Sequence, residues 1–321
     1  MPVQLETRFT EPDGFKWDYI ERHCNNNNAR RIRTGCLLPE SPKANIVLLQ
    51  GLSEFGEKYF EFARELQAQN IGLWLMDWYG QGGSGRYLDN PHKRHAENFD
   101  HYIADMDYFI ETTVKPSTVK LSKSAPLILL GHSMGGHIGL RYLAQHPDIF
   151  AAAAFTAPFL GISEVAKLPA PLKKFIAGTM HTIMPTRYVL GHTNWRKEVR
   201  EMFGLKTLSS DPAREKLHNY WCMKKEELQV GGVTWGWINA AINSCETLKG
   251  ELHRIRTPSL IARAGREKIV DNGAITKGAA QMPDATILEI EDSLHEILME
   301  RDEIRDKFID EFFSFIQPYT A

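Results

Sequence analysis

Short apolar runs alternate along the chain with longer segments in which apolar residues recur at helical spacing. The apolar runs, which are rich in branched residues, cover residues 45–49, 71–77, 126–130, 151–156, 259–264 and 286–290. The helix-like segments cover residues 58–69, 96–113, 134–145 and 302–316. Because fully buried strands are short continuous apolar runs, this order predicts a mostly parallel sheet with helices on both faces.

Two other regions depart from that alternation. Residues 15–23 and 31–38 have strand-like patterns and flank four asparagines, which tolerate the backbone angles of a turn, so we predict an antiparallel pair. Residues 158–250 contain helix-like pieces rich in Pro, Met and Trp, without strand–helix alternation. We therefore predict an α/β core formed by residues 1–157 and 251–321 and interrupted by a helical cap insertion at residues 158–250.

One helix of the predicted insertion has an apolar face opposite two lysines. The apolar positions are Leu172, Phe175, Ile176, Met180 and Ile183. Two interpretations fit this pattern: an ordinary amphipathic helix that packs on the core, or a cap helix whose apolar underside lines a pocket. For the second interpretation, the candidate substrate-binding residues are Phe175, Ile176 and Met180.

Composition and charge narrow the class of protein. Of the 321 residues, 43% are hydrophobic, and the formal net charge of −2 gives no basis for nucleic-acid binding. The basic run at residues 92–95 is interpreted as a solvated loop. The N-terminus lacks a basic start followed by an apolar core, and no stretch is long and apolar enough to span a membrane. We expect a cytoplasmic protein whose membrane contact, where it occurs, is peripheral and at the inner face of a membrane.

The four cysteines do not form a recognisable metal or redox motif. They show no C-x-x-C spacing, which favours reduced thiols, with a Cys24–Cys36 disulfide as the alternative. No two histidines are spaced four residues apart as metal ligands on a helix would be. We predict no metal and no cofactor.

The segment at residues 126–136, PLILLGHSMGG, carries the clearest catalytic pattern. An apolar strand runs directly into G-x-S-x-G around Ser133, and a helix follows at once. Small residues two before and two after the serine let neighbouring backbone approach in the strained turn of a nucleophile elbow. The turn also puts the hydroxyl at a helix N-terminus, whose dipole favours developing negative charge. We predict that Ser133 is a nucleophile.

A serine nucleophile needs a base, and in this architecture the order is serine, acid, histidine. His295 follows the strand-like run at residues 286–290 and is the predicted base. Two carboxylates, Glu267 and Asp271, follow the preceding strand. Glu267 is at the strand tip, where it can reach the histidine, whereas Asp271 can instead cap a helix that starts near residue 272. We favour Glu267 as the acid, with Asp271 as the alternative.

Acyl transfer also needs donors for an oxyanion. The backbone N–H of Met134 directly follows the nucleophile, and the second donor comes from a loop after an early strand. Leu52, after the strand-like run at residues 45–49 and the flexible Gly51, is the predicted second donor.

Four motifs resemble α/β-hydrolases of the monoacylglycerol lipase and bacterial lysophospholipase group. They are Q-G-L-S-E-F-G-E-K-Y, D-W-Y-G-Q-G-G-S, G-H-S-M-G-G, and the late pair G-R-E-K-I-V-D with D-S-L-H-E. The resemblance implies a cap between the strands near residues 156 and 259, places the acid at Glu267, and implies a single-chain acyl lipid as substrate. Gln50 and Phe55 depart from the group, which has histidine at both positions, and Glu54 is retained as expected structural support for the elbow.

The run GQGGSG at residues 80–85 also satisfies the dinucleotide fingerprint G-x-G-x-x-G. A dinucleotide turn opens a helix and is followed about 20 residues later by an acid at a strand end. Here a polar loop containing Pro91 follows, and the acids at that distance, Asp100 and Asp105, lie in a helix pattern. We therefore predict that the glycines shape a tight loop beside the nucleophile.

The combined prediction is a serine ester hydrolase that acts on a single-chain acyl lipid through an acyl-enzyme, with peripheral membrane contact through the cap. A small-ester carboxylesterase and a serine aminopeptidase-like hydrolase are the alternatives among enzymes. A non-catalytic ligand-binding protein on the same fold is the alternative from another class.

Overall fold

The computed structural model describes residues 5–24, 29–121, 125–161 and 169–320. Within these residues eight strands form one sheet in the order β1-β2-β4-β3-β5-β6-β7-β8. The strands are β1 Lys16–His23, β2 Ala29–Leu37, β3 Asn45–Leu49, β4 Gly72–Met76, β5 Leu127–His132, β6 Ala152–Thr156, β7 Ser259–Ala264 and β8 Ala285–Ile290. β1 and β2 pair antiparallel, as do β2 and β4, and the remaining pairs are parallel. The asparagine turn predicted between β1 and β2 lies outside the described residues.

Ten α-helices connect and flank these strands in the described ranges. They are α1 Phe60–Ala68, α2 Asp100–Phe109, α3 Lys115–Leu121, α4 Met134–Gln145, α5 Ala170–Ile183, α6 Lys197–Thr207, α7 Pro212–Lys224, α8 Trp235–Glu251, α9 Asn272–Ala279 and α10 Asp302–Ile316. A π-helical turn, Ile110–Val114, joins α2 to α3. Helices α5 to α8 lie between β6 and β7, in the segment predicted to be an insertion. In the part of the chain that the structure covers, no helix is long and apolar enough to cross a membrane.

The central strands β3 to β6 are buried on both faces because their side chains alternate between two apolar layers. In β3, Ile46 and Leu48 join the layer that contains α1 and α10, whereas Val47 and Leu49 join the layer that contains α2 and α4. All four side chains are at most 1% exposed. Because the central strands are parallel, their carboxyl ends meet at one edge of the sheet, which is where the predicted catalytic residues follow β5, β7 and β8.

Helix α8 attaches the segment between β6 and β7 to the core. The Trp237 ring lies 5.6 Å from the ring of Phe99 and 6.1 Å from the ring of Phe159, measured between centroids. Helix α5 packs on α8 and buries the small Ala177 rather than its large apolar residues. Phe175 is 70% exposed, so the apolar face predicted for α5 does not pack on the core.

All four cysteines are free thiols in the structure. Burial raises the pKa of Cys222 to about 12 and that of Cys245 to about 12. Both groups therefore stay neutral near pH 7 and serve as small apolar side chains.

Candidate active site

Ser133 occupies a strained turn between β5 and α4. Its φ of 50° and ψ of −116° lie in a region that residues other than glycine rarely adopt. Two backbone hydrogen bonds hold the turn: the Ser133 N–H donates to the Thr156 oxygen at 3.0 Å, and the Phe159 N–H donates to the Ser133 oxygen at 2.9 Å. A Cβ at Gly135 would lie 2.2 Å from the Leu49 carbonyl oxygen, so the turn requires glycine there.

The three side chains predicted for the triad converge at the carboxyl edge of the sheet. His295 Nε2 lies 2.9 Å from Ser133 Oγ, and His295 Nδ1 lies 2.8 Å from Glu267 Oε2. Ser133 and His295 are 8% and 4% exposed. With the ring proton on Nδ1 donated to the carboxylate, Nε2 is free to accept the serine proton.

The two candidate acids have different partners. Glu267 Oε2 faces the histidine, and its Oε1 accepts the backbone N–H of Lys268 at 2.9 Å and of Ile269 at 2.7 Å. Asp271 is the N-cap of α9, where its Oδ1 accepts the N–H groups of the next turn at 2.8 and 3.1 Å. The structure therefore brings Glu267, and not Asp271, to the histidine.

The acid and the histidine shift each other's pKa in the directions that general-base chemistry needs. Burial alone would lower the pKa of His295, but attraction and a hydrogen bond from Glu267 raise it above its ordinary value. Burial alone would raise the pKa of Glu267, but attraction and a hydrogen bond from His295, with backbone N–H groups at Ile269 and Val270, lower it. The pair therefore consists of an ionised carboxylate beside a more basic imidazole.

The glycine-rich loop braces the turn that carries Leu52. Gln81 Nε2 donates to the carbonyl oxygens of Gly51 at 2.8 Å and Glu54 at 3.0 Å, and Gln81 Oε1 accepts the Ser53 N–H at 3.0 Å. Ser53 has a φ of 66°, so the brace holds a left-handed turn in place. Within the described ranges no acceptor lies against the N–H of Leu52, which leaves this donor free for a ligand.

The buried side chain of Asp77 holds the glycine-rich loop through hydrogen bonds. Its carboxylate accepts hydrogen bonds from Arg33 Nε at 2.7 Å and from the backbone N–H groups of Gly83 at 2.7 Å and Gly56 at 3.0 Å. Gln50, the residue that departs from the group pattern, donates its amide to Asp77 at 3.2 Å. A Cβ at Gly82 would lie 2.3 Å from the Asp77 carboxylate, and the φ of this residue is 56°. The glycines thus close a turn around a buried acid.

A chain of buried charges connects this turn to the histidine loop. The Lys58 ammonium lies 2.5 Å from Glu54 Oε1 and 2.9 Å from Glu296 Oε2, and Lys58 is 1% exposed. Glu54 Oε2 accepts the Gly51 N–H at 2.6 Å, and on the other side Arg200 of α6 lies 3.2 Å from Glu296. Burial would raise the pKa of Glu296, but Arg200 and Lys58 hold it well below its ordinary value. Because Glu296 follows His295, the charges connect the turn that carries Leu52, the loop that carries His295, and α6.

The backbone after α6 also lies against the histidine loop. The Glu296 N–H donates to the Leu208 oxygen at 2.7 Å, and Lys268 Nζ donates to the Lys206 oxygen at 2.7 Å. Two residues further on, the Ser210 N–H donates to the Glu300 carboxylate at 2.9 Å. The segment between β6 and β7 therefore contributes to the frame that holds the base.

Sequence reasoning missed several of these supporting residues. Glu296 lies inside the quoted motif D-S-L-H-E, so its position beside the base was a usable signal. Gln81 lies inside the glycine-rich run. The dinucleotide fingerprint specifies only the glycines of this run and gives no role to the glutamine side chain. Nothing in the sequence around Arg200 indicates its role. Its partner Glu296 lies about 96 residues away, and such an ion pair produces no pattern in the local sequence.

The interpretation of residues 92–95 as a solvated loop is wrong for His95. His95 is 5% exposed, and its Nδ1 lies 2.8 Å from Thr234 Oγ1 at the N-terminus of α8. Contact with a helix far along the chain buries this histidine, which composition alone assigns to solvent.

Comparison with known families gives one strong match. The family model described as serine aminopeptidase, S33, matches residues 40–302. Lysophospholipase L2 of Escherichia coli is 28% identical over 285 residues, which cover 86% of this chain and 81% of that protein. A Haemophilus influenzae protein named "Probable lysophospholipase L2" is 32% identical over 273 residues, which cover 83% of this chain and 82% of that protein.

Solved structures give the fold. A soluble variant of monoglyceride lipase from Saccharomyces cerevisiae, in complex with a substrate analog, superposes with a TM-score of 0.73 at 17% identity. The superposition covers 100% of this chain and 99% of the yeast chain. The α/β-hydrolase fold predicted from the sequence is therefore confirmed.

We expect Lys58→Met to destabilise the protein by about 3–5 kcal/mol, because it leaves the carboxylates of Glu54 and Glu296 buried without their shared cation. Urea denaturation measures the change. The control is Lys197→Met, which removes another lysine paired four residues away but with a 43% exposed side chain; it should change stability by less than about 1 kcal/mol. Equal losses in the two variants would contradict the proposed importance of the buried charges.

Proposed function

The chain belongs to the serine aminopeptidase S33 family of α/β-hydrolases, and from this premise we propose that it cleaves the carboxylic ester of a single-chain acyl lipid through a covalent acyl-enzyme. The chain is an enzyme that hydrolyses lipid esters. Lysophospholipids and monoacylglycerols are the candidate substrates. The observation that carries the covalent mechanism is the 2.9 Å contact between His295 Nε2 and Ser133 Oγ.

In the proposed mechanism Ser133 Oγ attacks the ester carbonyl while His295 Nε2 takes its proton. Glu267 keeps the ring oriented and stabilises the imidazolium that forms. The tetrahedral intermediate collapses when His295 returns the proton to the leaving alcohol, which departs as glycerol from a monoacylglycerol or as a glycerophosphodiester from a lysophospholipid. Water, deprotonated by the same nitrogen, then attacks the acyl-enzyme and releases the fatty acid.

The backbone N–H groups of Leu52 and Met134 stabilise the oxyanion. Met134 is the first residue of α4, a position whose N–H has no acceptor within the helix. The Gln81 brace holds the turn that carries the Leu52 N–H, and a Cβ at Gly51 in this turn would lie 3.3 Å from Ser133 Cβ. One such donor commonly contributes about 2.7–4 kcal/mol to transition-state stabilisation. This contribution explains why two networks of buried polar groups support the short turn that carries Leu52.

The segment at residues 158–250 acts as the cap over this site. Its helix α8 packs Trp237 against Phe159, which in turn is bonded to the nucleophile backbone. On α5, Phe175 and Ile176 are exposed by 70% and 40%, and Met180 is half-buried. We assign this face to contact with acyl chains, either those of the substrate or those of a membrane from which the substrate is taken.

The aminopeptidase alternative is disfavoured by the charges around the site. Recognition of a peptide N-terminus needs a carboxylate that is free to accept an ammonium. Among the described residues, the carboxylates beside the triad already have partners: Glu54 and Glu296 hold Lys58, and Glu267 holds His295. A neutral ester therefore fits the site better than an amine.

Ser133→Ala should abolish covalent labelling by a fluorophosphonate and reduce hydrolysis of 1-oleoylglycerol and 1-oleoyl-lysophosphatidylcholine by at least about 10⁴-fold. The exposed Ser314→Ala should keep both. A panel of long-chain acyl esters, short-chain p-nitrophenyl esters and aminoacyl amides then identifies the substrate class. Labelling that persists in Ser133→Ala would contradict the assigned nucleophile, and cleavage of amides alone would contradict the assigned reaction.

Glu267→Gln should lower kcat by about 10⁴-fold, because the amide no longer holds the ring in the required tautomer. The neutral imidazole is the active form, so kcat/KM falls as pH drops through the pKa of His295. That pKa is raised in the wild type, so we expect its midpoint above about 6.5 and a lower midpoint in Glu267→Gln. Asp271→Asn, whose new side chain caps a helix equally well, should change neither quantity. A collapse of kcat in Asp271→Asn alone would reverse the assignment of the acid.

The double variant Phe175→Ser and Ile176→Ser should bind vesicles of phosphatidylglycerol and phosphatidylethanolamine at least about tenfold more weakly than the wild type, because two apolar side chains no longer enter the bilayer interface. Hydrolysis of the soluble ester p-nitrophenyl butyrate should be retained. Val119→Ser, which replaces a residue 56% exposed on α3, is the control. Unchanged cosedimentation of the double variant would exclude this face as the membrane contact.

A further inference from the structure

His137 is buried one turn after the nucleophile and lies outside the triad. It is 0% exposed, and its ring packs against the rings of Phe99 and Phe159 at centroid distances of 5.6 and 5.7 Å. Both ring nitrogens nevertheless have polar partners. Nδ1 lies 2.8 Å from the Phe159 oxygen, and Nε2 lies 2.7 Å from Ser244 Oγ on α8. A purely apolar side chain would fill this space without burying polar atoms, so the two hydrogen bonds indicate a role for the imidazole beyond packing.

The Phe159 backbone is bonded to the nucleophile turn through both of its polar groups. Its N–H donates to the Ser133 oxygen at 2.9 Å, and its own oxygen faces His137 Nδ1. The backbone N–H of His137 also donates to the Ser133 oxygen, at 3.0 Å. Three hydrogen bonds therefore close a ring through Ser133, Phe159 and His137, in which the imidazole is the one side chain. The ring encloses a residue with a φ of 50°, and such strained backbone persists only where its surroundings fix it.

The donors and acceptors around the imidazole require one tautomer. A carbonyl oxygen only accepts, so the ring proton must be on Nδ1, which faces Phe159. The Arg141 guanidinium only donates, and its Nη1 lies 3.1 Å from Ser244 Oγ. The Ser244 hydroxyl therefore accepts from Arg141 and donates its own proton to His137 Nε2. Arg141 is itself held by Asp100, whose Oδ1 lies 2.7 Å from the same Nη1.

The imidazole of His137 is neutral near pH 7. Burial lowers the pKa of His137 to about 3, although its hydrogen bond to Phe159 acts in the opposite direction. His295 differs, because its carboxylate partner raises its pKa. The two histidines closest to the nucleophile in the proposed mechanism therefore have separate chemistry: one exchanges protons, and the other keeps a fixed pair of hydrogen bonds.

We propose that His137 is a positioning residue for the nucleophile: it holds the Phe159 carbonyl and, through Phe159, the backbone of Ser133. Ser244 and Arg141 act one step further away, because they fix the tautomer that makes Nδ1 a donor. Since α8 belongs to the segment between β6 and β7, the same bonds connect that segment to the nucleophile turn. This inference rests on the proposed function, which assigns the nucleophile to Ser133.

The test uses two amide side chains that differ in reach. The amide nitrogen of asparagine occupies the δ position, as Nδ1 does in histidine, whereas that of glutamine occupies the ε position. His137→Asn should keep the bond to Phe159 and hydrolyse p-nitrophenyl butyrate with a kcat within about fivefold of the wild type, because one neutral hydrogen bond is lost. His137→Gln and His137→Ala should lose about 10- to 100-fold in kcat, because the turn is no longer held, with KM changed by less than about threefold.

The thermal unfolding temperature separates positioning from a structural role. Both amides replace a buried ring, so His137→Asn and His137→Gln should lower the unfolding temperature by similar amounts. If the role were only structural, kcat would follow that loss and the two variants would be equally active. His95→Ala is the matched control, because His95 is also buried and also binds α8, through Thr234 Oγ1 at 2.8 Å. This control should lower the unfolding temperature without lowering kcat.

Ser244 gives an independent test of the relay. Ser244→Ala should lower kcat by about two- to fivefold in the wild type and have no further effect in His137→Asn, which has already lost the bond to the hydroxyl. Nitrogen NMR of the wild type should show the His137 proton on Nδ1, without titration between about pH 5 and 9. An equal effect of Ser244→Ala in both backgrounds would mean that the hydroxyl does not act through the imidazole, which contradicts the relay.

The outcomes distinguish this inference from the function on which it rests. Equal kcat values in His137→Asn and His137→Gln, or a His137→Ala variant that is less stable but fully active, would overturn the role of His137 and leave the proposed function intact. A wild-type protein that neither hydrolyses the ester nor reacts with a fluorophosphonate would instead refute the proposed function.

Discussion

The active-site geometry depends on one buried ammonium group shared between two carboxylates. Lys58 holds Glu54, which fixes the turn that carries Leu52, and Glu296, which follows the base. These two loops come from distant parts of the chain, and each would otherwise place an acid in the core without compensation. The same charge therefore positions the turn that carries Leu52 and the imidazole of His295 relative to Ser133.

The parts of this site that sequence predicts are those with a local backbone cause. The placement of Ser133 was predictable because a strand, a tight turn and a helix follow one another with glycines at set positions, and the placement of His295 because it follows the last strand. The choice between Glu267 and Asp271 was not settled by spacing, since it depends on which carboxylate turns toward the imidazole and which toward helix N–H groups. Arg200 was unpredictable, because its role arises only from the packing of α6 on a loop near the C-terminus.

The glycine-rich run shows how one pattern can arise from different physical demands. In a dinucleotide site the glycines let backbone approach a bound pyrophosphate. Here they let backbone wrap the carboxylate of Asp77, which belongs to the protein itself. Both cases require a tight turn whose backbone closely approaches an anion. The motif therefore indicates that backbone approaches an anion closely. Only the residues that follow the motif indicate whether that anion is a ligand or a side chain of the protein.

The bonds between the segment after α6 and the histidine loop affect how this enzyme could be re-engineered. A segment that is inserted at one point of a shared sheet can be exchanged between related hydrolases to change substrate preference. In this chain Arg200 and the carbonyl oxygen of Leu208 both bind Glu296, the residue after His295. A chimaera with a foreign segment between β6 and β7 would lose these contacts to the loop that carries His295, unless residues 200–210 were kept from the parent. The part of this segment that can be exchanged is therefore shorter than the whole stretch between β6 and β7.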